Sequence, residues 1–149
     1  MRLEVEVIGK FEDAGDCAKL LYVAPEGVHT YRQTRRYEIE FEGSEDAARQ
    51  FIADVLVDPV SHEAHFGSDP AIDGFAFHLD YGMKPGALDH EKETILAYHA
   101  ELDDPGFQFR GLTVTTRLYI FDNDVTGVTA DPFVRDIVNP AIHTWKVGP

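Results

Sequence analysis

One phrase occurs twice in this chain, and the repeat limits what the chain can fold into. Val57-Asp58-Pro59-Val60-Ser61-His62 returns 81 positions later as Val138-Asn139-Pro140-Ala141-Ile142-His143. A second set of matches runs at a spacing of 82: Thr34-Arg35-x-Tyr37 with Thr116-Arg117-x-Tyr119, and Phe51-Ile52-x-x-Val55-Leu56 with Phe133-Val134-x-x-Ile137-Val138. The one-residue slip falls near Val57, where a helix ends and a residue is lost cheaply. A period this long predicts two copies of a small α+β unit, because repeats of 20–50 residues build solenoids.

The 149 residues suit one domain, or two half-domains that share a core. Leu3 to Val7 alternates as a half-buried strand. Asp16 to Val23 carries a faint helical signal. Thr30 to Phe41 reads as a long strand, with Tyr37, Ile39 and Phe41 on one face and Glu38 and Glu40 towards water. Ser44 caps a helix whose stripe is Phe51, Ile52, Val55 and Leu56, and Pro59 stops it. Val60 to Phe66 closes the first copy, residues 1–67. The Gly- and Pro-rich segment 68–74 is a linker.

The second copy, 75–149, has a strand over Phe75–Tyr81 and a helix from Asp89 towards Leu102. A long strand follows over Phe107–Phe121, apolar on both faces near its end and so expected to be covered on both sides. Asp131-Pro132 opens a last helix, and Ile142 to Val147 is the last strand. The expected fold is two tandem ferredoxin-like half-domains packed as an intramolecular pair. Val5–Lys10 and Phe75–Tyr81 are the expected free strand edges.

A net charge of −14, from 27 acidic and 13 basic residues, disfavours nucleic acid and anionic membrane as partners. It suits solubility, a basic partner or a saline cytoplasm. The lone Cys17 excludes an internal disulfide and reads as a packing residue in a reducing compartment. No apolar run approaches the ~20 residues of a membrane span, and Met1-Arg2-Leu3-Glu4 does not read as a signal peptide. The expected location is cytoplasmic.

Catalytic patterns are sparse. His62 and His65 are three apart on an expected strand and so point to opposite faces, unlike the four-residue helical spacing of a zinc protease. Asp122-Asn123-Asp124 with Gly127 resembles part of a calcium loop without its remaining ligands. No phosphate loop or G-x-S-x-G elbow is present. No cofactor, metal or catalytic residue is expected.

Three motifs then carry a family resemblance. Lys84-Pro85-Gly86-Ala87-Leu88-Asp89 is similar to the Lys-Pro-Gly-x-x-Asp opening of PurS, the small subunit of phosphoribosylformylglycinamidine synthase. Gly27-Val28-x-x-Tyr31-Arg32-x-Thr34-Arg35-x-Tyr37 resembles that family's second strand. Leu56-Val57-Asp58-Pro59-Val60 and Ile137-Val138-Asn139-Pro140-Ala141 resemble its closing Leu-x-Asn-Pro-Val segment. The first copy departs from the family at Lys10–Asp16, where the Lys-Pro-Gly turn belongs, and the second at Val114–Arg117.

The tandem also resembles the PurS-like N-terminal region of the long, single-chain synthases. The resemblance implies a non-catalytic subunit that bridges synthetase and glutaminase subunits in purine biosynthesis, alone or as a homodimer. Its interface candidates are Arg32, Arg35, Asp58, Pro59, His62, Lys84, Pro85, Gly86, Asp89, Arg117, Asn139, Pro140 and His143. Two alternatives stand beside it. One is a divergent relative with another partner. The other is a small enzyme of the dimeric α+β barrel type, or a small-molecule-binding protein, with a pocket between sheet and helices that uses His62, His143, Arg35, Arg117, Tyr37 and Tyr119. A concave pocket holding a histidine and an arginine favours the pocket reading, and a flat exposed surface favours the bridge.

Overall fold

The computed structural model describes residues 1–11, 14–25, 27–122 and 128–149. The described elements are β1 (Arg2–Gly9), β2 (Gly15–Asp16), a 3₁₀ turn (Cys17–Lys19), β3 (His29–Gly43), α1 (Glu45–Phe51), β4 (His62–Phe66), β5 (Phe77–Met83), α2 (His90–Ala100), β6 (Phe107–Asp122), α3 (Asp131–Ile137) and β7 (His143–Gly148). The chain is α+β, with its seven described strands in one sheet whose pairings are all antiparallel. The arrangement is compatible with a ferredoxin-like fold.

The strand order is β4-β1-β3-β6-β5-β7, with β2 also on β3. It places the two long, β-branched and aromatic strands at the centre, joined from His29↔Asp122 to Gly43↔Phe107. Strands β1 and β5 are therefore interior, not the free edges that the sequence suggests. Val5 and Leu79 are fully buried, and burial on a sheet's inner face requires neighbours on both sides. The described edges are β4 and β7, whose His62, Glu63, His65 and Lys146 are residues that blunt an edge.

Alternate residues of one strand share a face, so Leu112, Val114, Thr116, Leu118 and Ile120 of β6 lie on one side of the sheet. Two apolar clusters form there. The first joins Leu3, Val5 and Val7 with Ile39, Phe41, Phe51, Ile52 and Ile95. The second joins Phe77, Leu79, Leu118 and Ile120 with Phe133, Cys17 and Leu21. The covering segments are exchanged. Ile95 of α2, from the second half, seals the first cluster, and Cys17 and Leu21, from the first half, seal the second. The faint helical signal at Asp16–Val23 becomes a single 3₁₀ turn capped by Asp16, whose Oδ1 accepts the Ala18 N–H at 2.9 Å.

The one-residue slip has a physical form. Phe51 belongs to the first cluster and Phe133 to the second. From there to the histidine that opens the closing strand, the first copy has one residue more. That copy continues past Phe51 in a π-helical turn, Ile52–Leu56, whereas α3 ends at Ile137. A π turn holds an extra residue while keeping the flanking side chains on their faces. The Ser44 and Asp89 caps form as the sequence predicts, accepting the Ala47 and Lys92 N–H groups.

Candidate functional site

The repeated phrase builds the same turn twice. The Asp58 and Asn139 Oδ1 atoms accept the N–H of Val60 and Ala141, each at 3.0 Å, and their carbonyls accept the N–H of His62 and His143, each at 2.8 Å. Such Asx turns explain the residue type, and Pro59 and Pro140 are exposed within them. The histidines then open the edge strands. Ser61 Oγ lies 3.0 Å from His62 Nδ1, and the Asn139 N–H donates to His143 Nδ1 at 3.0 Å. The Lys84-Pro85-Gly86 motif is likewise a turn. The Ala87 N–H donates to the Lys84 carbonyl at 3.0 Å, and Gly86 has a φ of 88° that other residues rarely adopt.

The two turns differ in charge, which gives a pH test. Hydrogen bonds from the Val60 N–H and Ser61 Oγ hold the Asp58 carboxyl below the ordinary aspartate value. A depressed carboxyl stabilises the fold above its unfolded pKa, about 4 for aspartate, and that contribution is lost as pH falls through the lower folded value. Amide hydrogen exchange at Val60 should therefore speed up relative to Ala141 as pH drops below about 4. Equal responses at the two amides would refute the assignment.

The Thr-Arg-x-Tyr match does not place its residues alike. Thr34 pairs with Arg117, and Arg35 with Thr116, so Arg35 and Arg117 project to opposite faces of the sheet. Arg117 lies on the face away from the helices, where its side chain is 4% exposed. Its Nε and Nη2 donate to the two Asp80 oxygens at 2.6 and 2.8 Å, and Nη1 donates to Glu6 at 3.3 Å. Burial acts to lower the guanidinium, yet the bonds to Asp80 and Tyr119 hold it above the ordinary arginine value.

Glu6, with no exposed surface, also accepts from Thr34 Oγ1 at 2.7 Å and Tyr119 Oη at 2.5 Å. Burial and the bond to Glu6 push the Tyr119 phenol up to about 12. The segment expected as a linker lies over this network. The Gly67 carbonyl accepts from Arg36 at 3.3 Å, the Ala71 N–H donates to Tyr119 Oη at 3.2 Å, and the Phe75 ring sits 5.0 Å from that of Tyr119. The strand is thus covered on both sides near its end, as its two apolar faces predict.

Arg35 lies on the helix face beside an open cleft of about 630 Å³. Its Nε donates to Glu91 of α2 at 2.8 Å, and its Nη groups reach Glu91 and Thr116. Tyr37 Oη donates to the other Glu91 oxygen at 2.6 Å, and burial followed by that bond raises its phenol above the ordinary tyrosine value. Val7, Tyr31, Gln33, Leu56 and His62 also line the cleft, and Arg32 donates to the Gly9 carbonyl at 3.0 Å.

The cleft sits at a break in the sheet. β1 pairs with β3 only as far as Arg35, and β2 resumes at Tyr31. Residues 32–34 therefore have no strand partner on that side among the described residues.

Of the residues expected to share a pocket, the cleft gathers Arg35, Tyr37 and His62. Arg117 and Tyr119 belong to the opposite face, and His143 packs edge-on against Tyr81, 5.4 Å away. Sequence reasoning missed Glu6, Asp80 and Glu91, which read as solvated acids among many. Among the described residues no three His, Cys, Asp or Glu side chains group to hold a metal. The calcium-loop fragment lies outside the described residues beyond Asp122. Burial pushes the Cys17 thiol up to about 12, so it stays protonated and packs. No described helix is long and apolar enough to cross a membrane. Compared with known proteins, the chain matches no family model, no curated protein and no solved structure.

Proposed function

We propose that the chain is a tandem PurS-like intramolecular pseudo-dimer that acts as the bridging subunit of a phosphoribosylformylglycinamidine synthase, holding synthetase and glutaminase subunits together in the cytoplasm. One observation carries the reading: the strand order β4-β1-β3 meets β6-β5-β7 in mirror order, each half closed by the same Asx-Pro turn. A covalent pair offers both partner-facing surfaces without an association step between halves. The two edges differ in chemistry, with His62, Glu63 and His65 on β4 and the exposed Trp145 and Val147 on β7, which suits two unlike partners.

In this reading the turn residues Asp58, Pro59, Asn139, Pro140 and Lys84–Asp89 shape those surfaces and do no chemistry. Size-exclusion chromatography of the co-expressed chains, with glutamine and nucleotide present, should show the 16.7 kDa chain co-eluting with both larger subunits. Elution apart from both rejects the proposal.

A second reading, a small-molecule-binding protein, is favoured by the cleft that joins Arg35, Tyr37 and His62. It is compatible with the first, because the cleft lies beside β3 and takes only His62 from the two outer edges.

A further inference from the structure

We propose that the break in the sheet beside β3 binds a small organic oxyanion, a phosphate monoester or a carboxylate, through Arg32 and the strand edge at residues 32–34, which has no strand partner there among the described residues. The proposal rests on the small-molecule reading of the cleft and is independent of the bridging role.

The charge balance of the cleft runs against that of the chain. Acidic residues outnumber basic ones by 27 to 13 overall, yet among the described residues the lining holds Arg32, Arg35 and His62 and no carboxylate. Arg32 differs from the other arginines of the sheet. Arg35 is matched by Glu91, Arg36 by Glu4 and Glu6, and Arg117 by Asp80 and Glu6. Among the described residues Arg32 meets no carboxylate within ion-pair reach; it donates instead to the neutral Gly9 carbonyl. A guanidinium has five donors in a planar fork that fits two oxygens of a phosphate or carboxylate. One donor spent on a carbonyl leaves enough for such a fork.

The rest of the lining suits the organic part of such a ligand. Val7, Leu56, Tyr31 and Tyr37 supply apolar wall on the helix face, and Gln33 with the strand edge supplies polar groups, while Arg32, in register with Tyr119 on the other face, reaches the break where its Nη2 meets the Gly9 carbonyl. The volume lies within the usual range of small-molecule sites. Gly15 sets the position of one wall: a Cβ there would lie 2.6 Å from the Tyr31 ring, so any side chain would push that ring out of place.

The test is an NMR titration of the full chain at constant ionic strength, with chloride as the reference and inorganic phosphate, glycerol 3-phosphate and citrate as probes. Saturable shifts are expected at the amides of Arg32, Gln33 and Thr34, with one organic probe binding more tightly than inorganic phosphate. The preferred probe separates phosphate monoester from carboxylate. Arg32→Gln should weaken that probe at least about tenfold, as loss of a charge-assisted hydrogen bond does, while Arg110→Gln on the exposed surface should leave it unchanged. Shifts centred elsewhere, no saturable shift, or equal weak binding of all three probes overturns the proposal. The wild-type shift map decides the matter even if the Arg32 variant does not fold. Co-elution with partner subunits can fail while the titration succeeds, and the reverse, so the two readings are judged separately.

Discussion

Expressed separately, residues 1–67 and 75–149 are each expected to lack a cooperative fold, and mixing the two fragments should restore one. The reason is the exchange of covering segments. In the first cluster Ile95, Phe107, Leu112 and Val114 come from the second half. At roughly 1.5–3 kcal/mol for each fully buried side chain, their loss removes on the order of 10 kcal/mol from fragment 1–67. That is as much as the whole stability of an ordinary domain.

Fragment 75–149 loses Cys17 and Leu21 from its own cluster, a smaller deficit. It also loses the β3 partner of its longest strand, leaving the inner edge of β6 bare. Circular dichroism melts of each fragment and of the mixture give the answer. A sigmoidal melt from either fragment alone would show that the halves are independent domains.

The same packing explains which parts of the fold the sequence reveals. The central strands, the caps at Ser44 and Asp89, and the closing turns are local. A period of two, a side-chain oxygen three residues before an N–H, and an Asx-Pro pair each act within a few residues, so they can be read directly. What fails to show is set by distant chain. Leu3-Glu4-Val5-Glu6-Val7 spells both glutamates alike, yet Glu4 is half-buried and Glu6 is fully buried. The difference comes from distant partners: Glu6 is enclosed by Thr34, Arg117 and Tyr119, 28 to 113 positions further on.

The oxyanion cleft is hidden for a similar reason. It exists because β1 leaves β3 at Arg35 before β2 rejoins it, and no periodicity records where a neighbour departs. The Thr-Arg-x-Tyr repeat misleads outright. A one-residue difference in register reverses every side chain of a strand, so an alignment with a spacing of 82 pairs residues that face opposite sides of the sheet, while the spacing of 81 at His62 and His143 holds.

That reversal predicts two unequal arginines at one motif position. Arg117→Met should lower the unfolding free energy by about 3–5 kcal/mol, the usual cost of removing one partner from a buried ion pair. Asp80 would lose both of its 2.6 and 2.8 Å bonds to Arg117, and Glu6, which has no exposed surface, would lose its contact with the guanidinium. Arg35→Met should cost about 1 kcal/mol or less. Its side chain is 37% exposed and that of Glu91 36%, so water can replace the lost bonds and screens the pair while it lasts. Urea denaturation of the two variants with the wild type measures both effects on one scale. Equal losses would place the two arginines in like environments and remove the basis for the opposite-face assignment. A larger loss at Arg117 assigns the two copies of the motif different work: one is sealed beneath the 67–76 strap as a structural bolt between β1, β3, β5 and β6, and the other stays open to solvent beside the cleft.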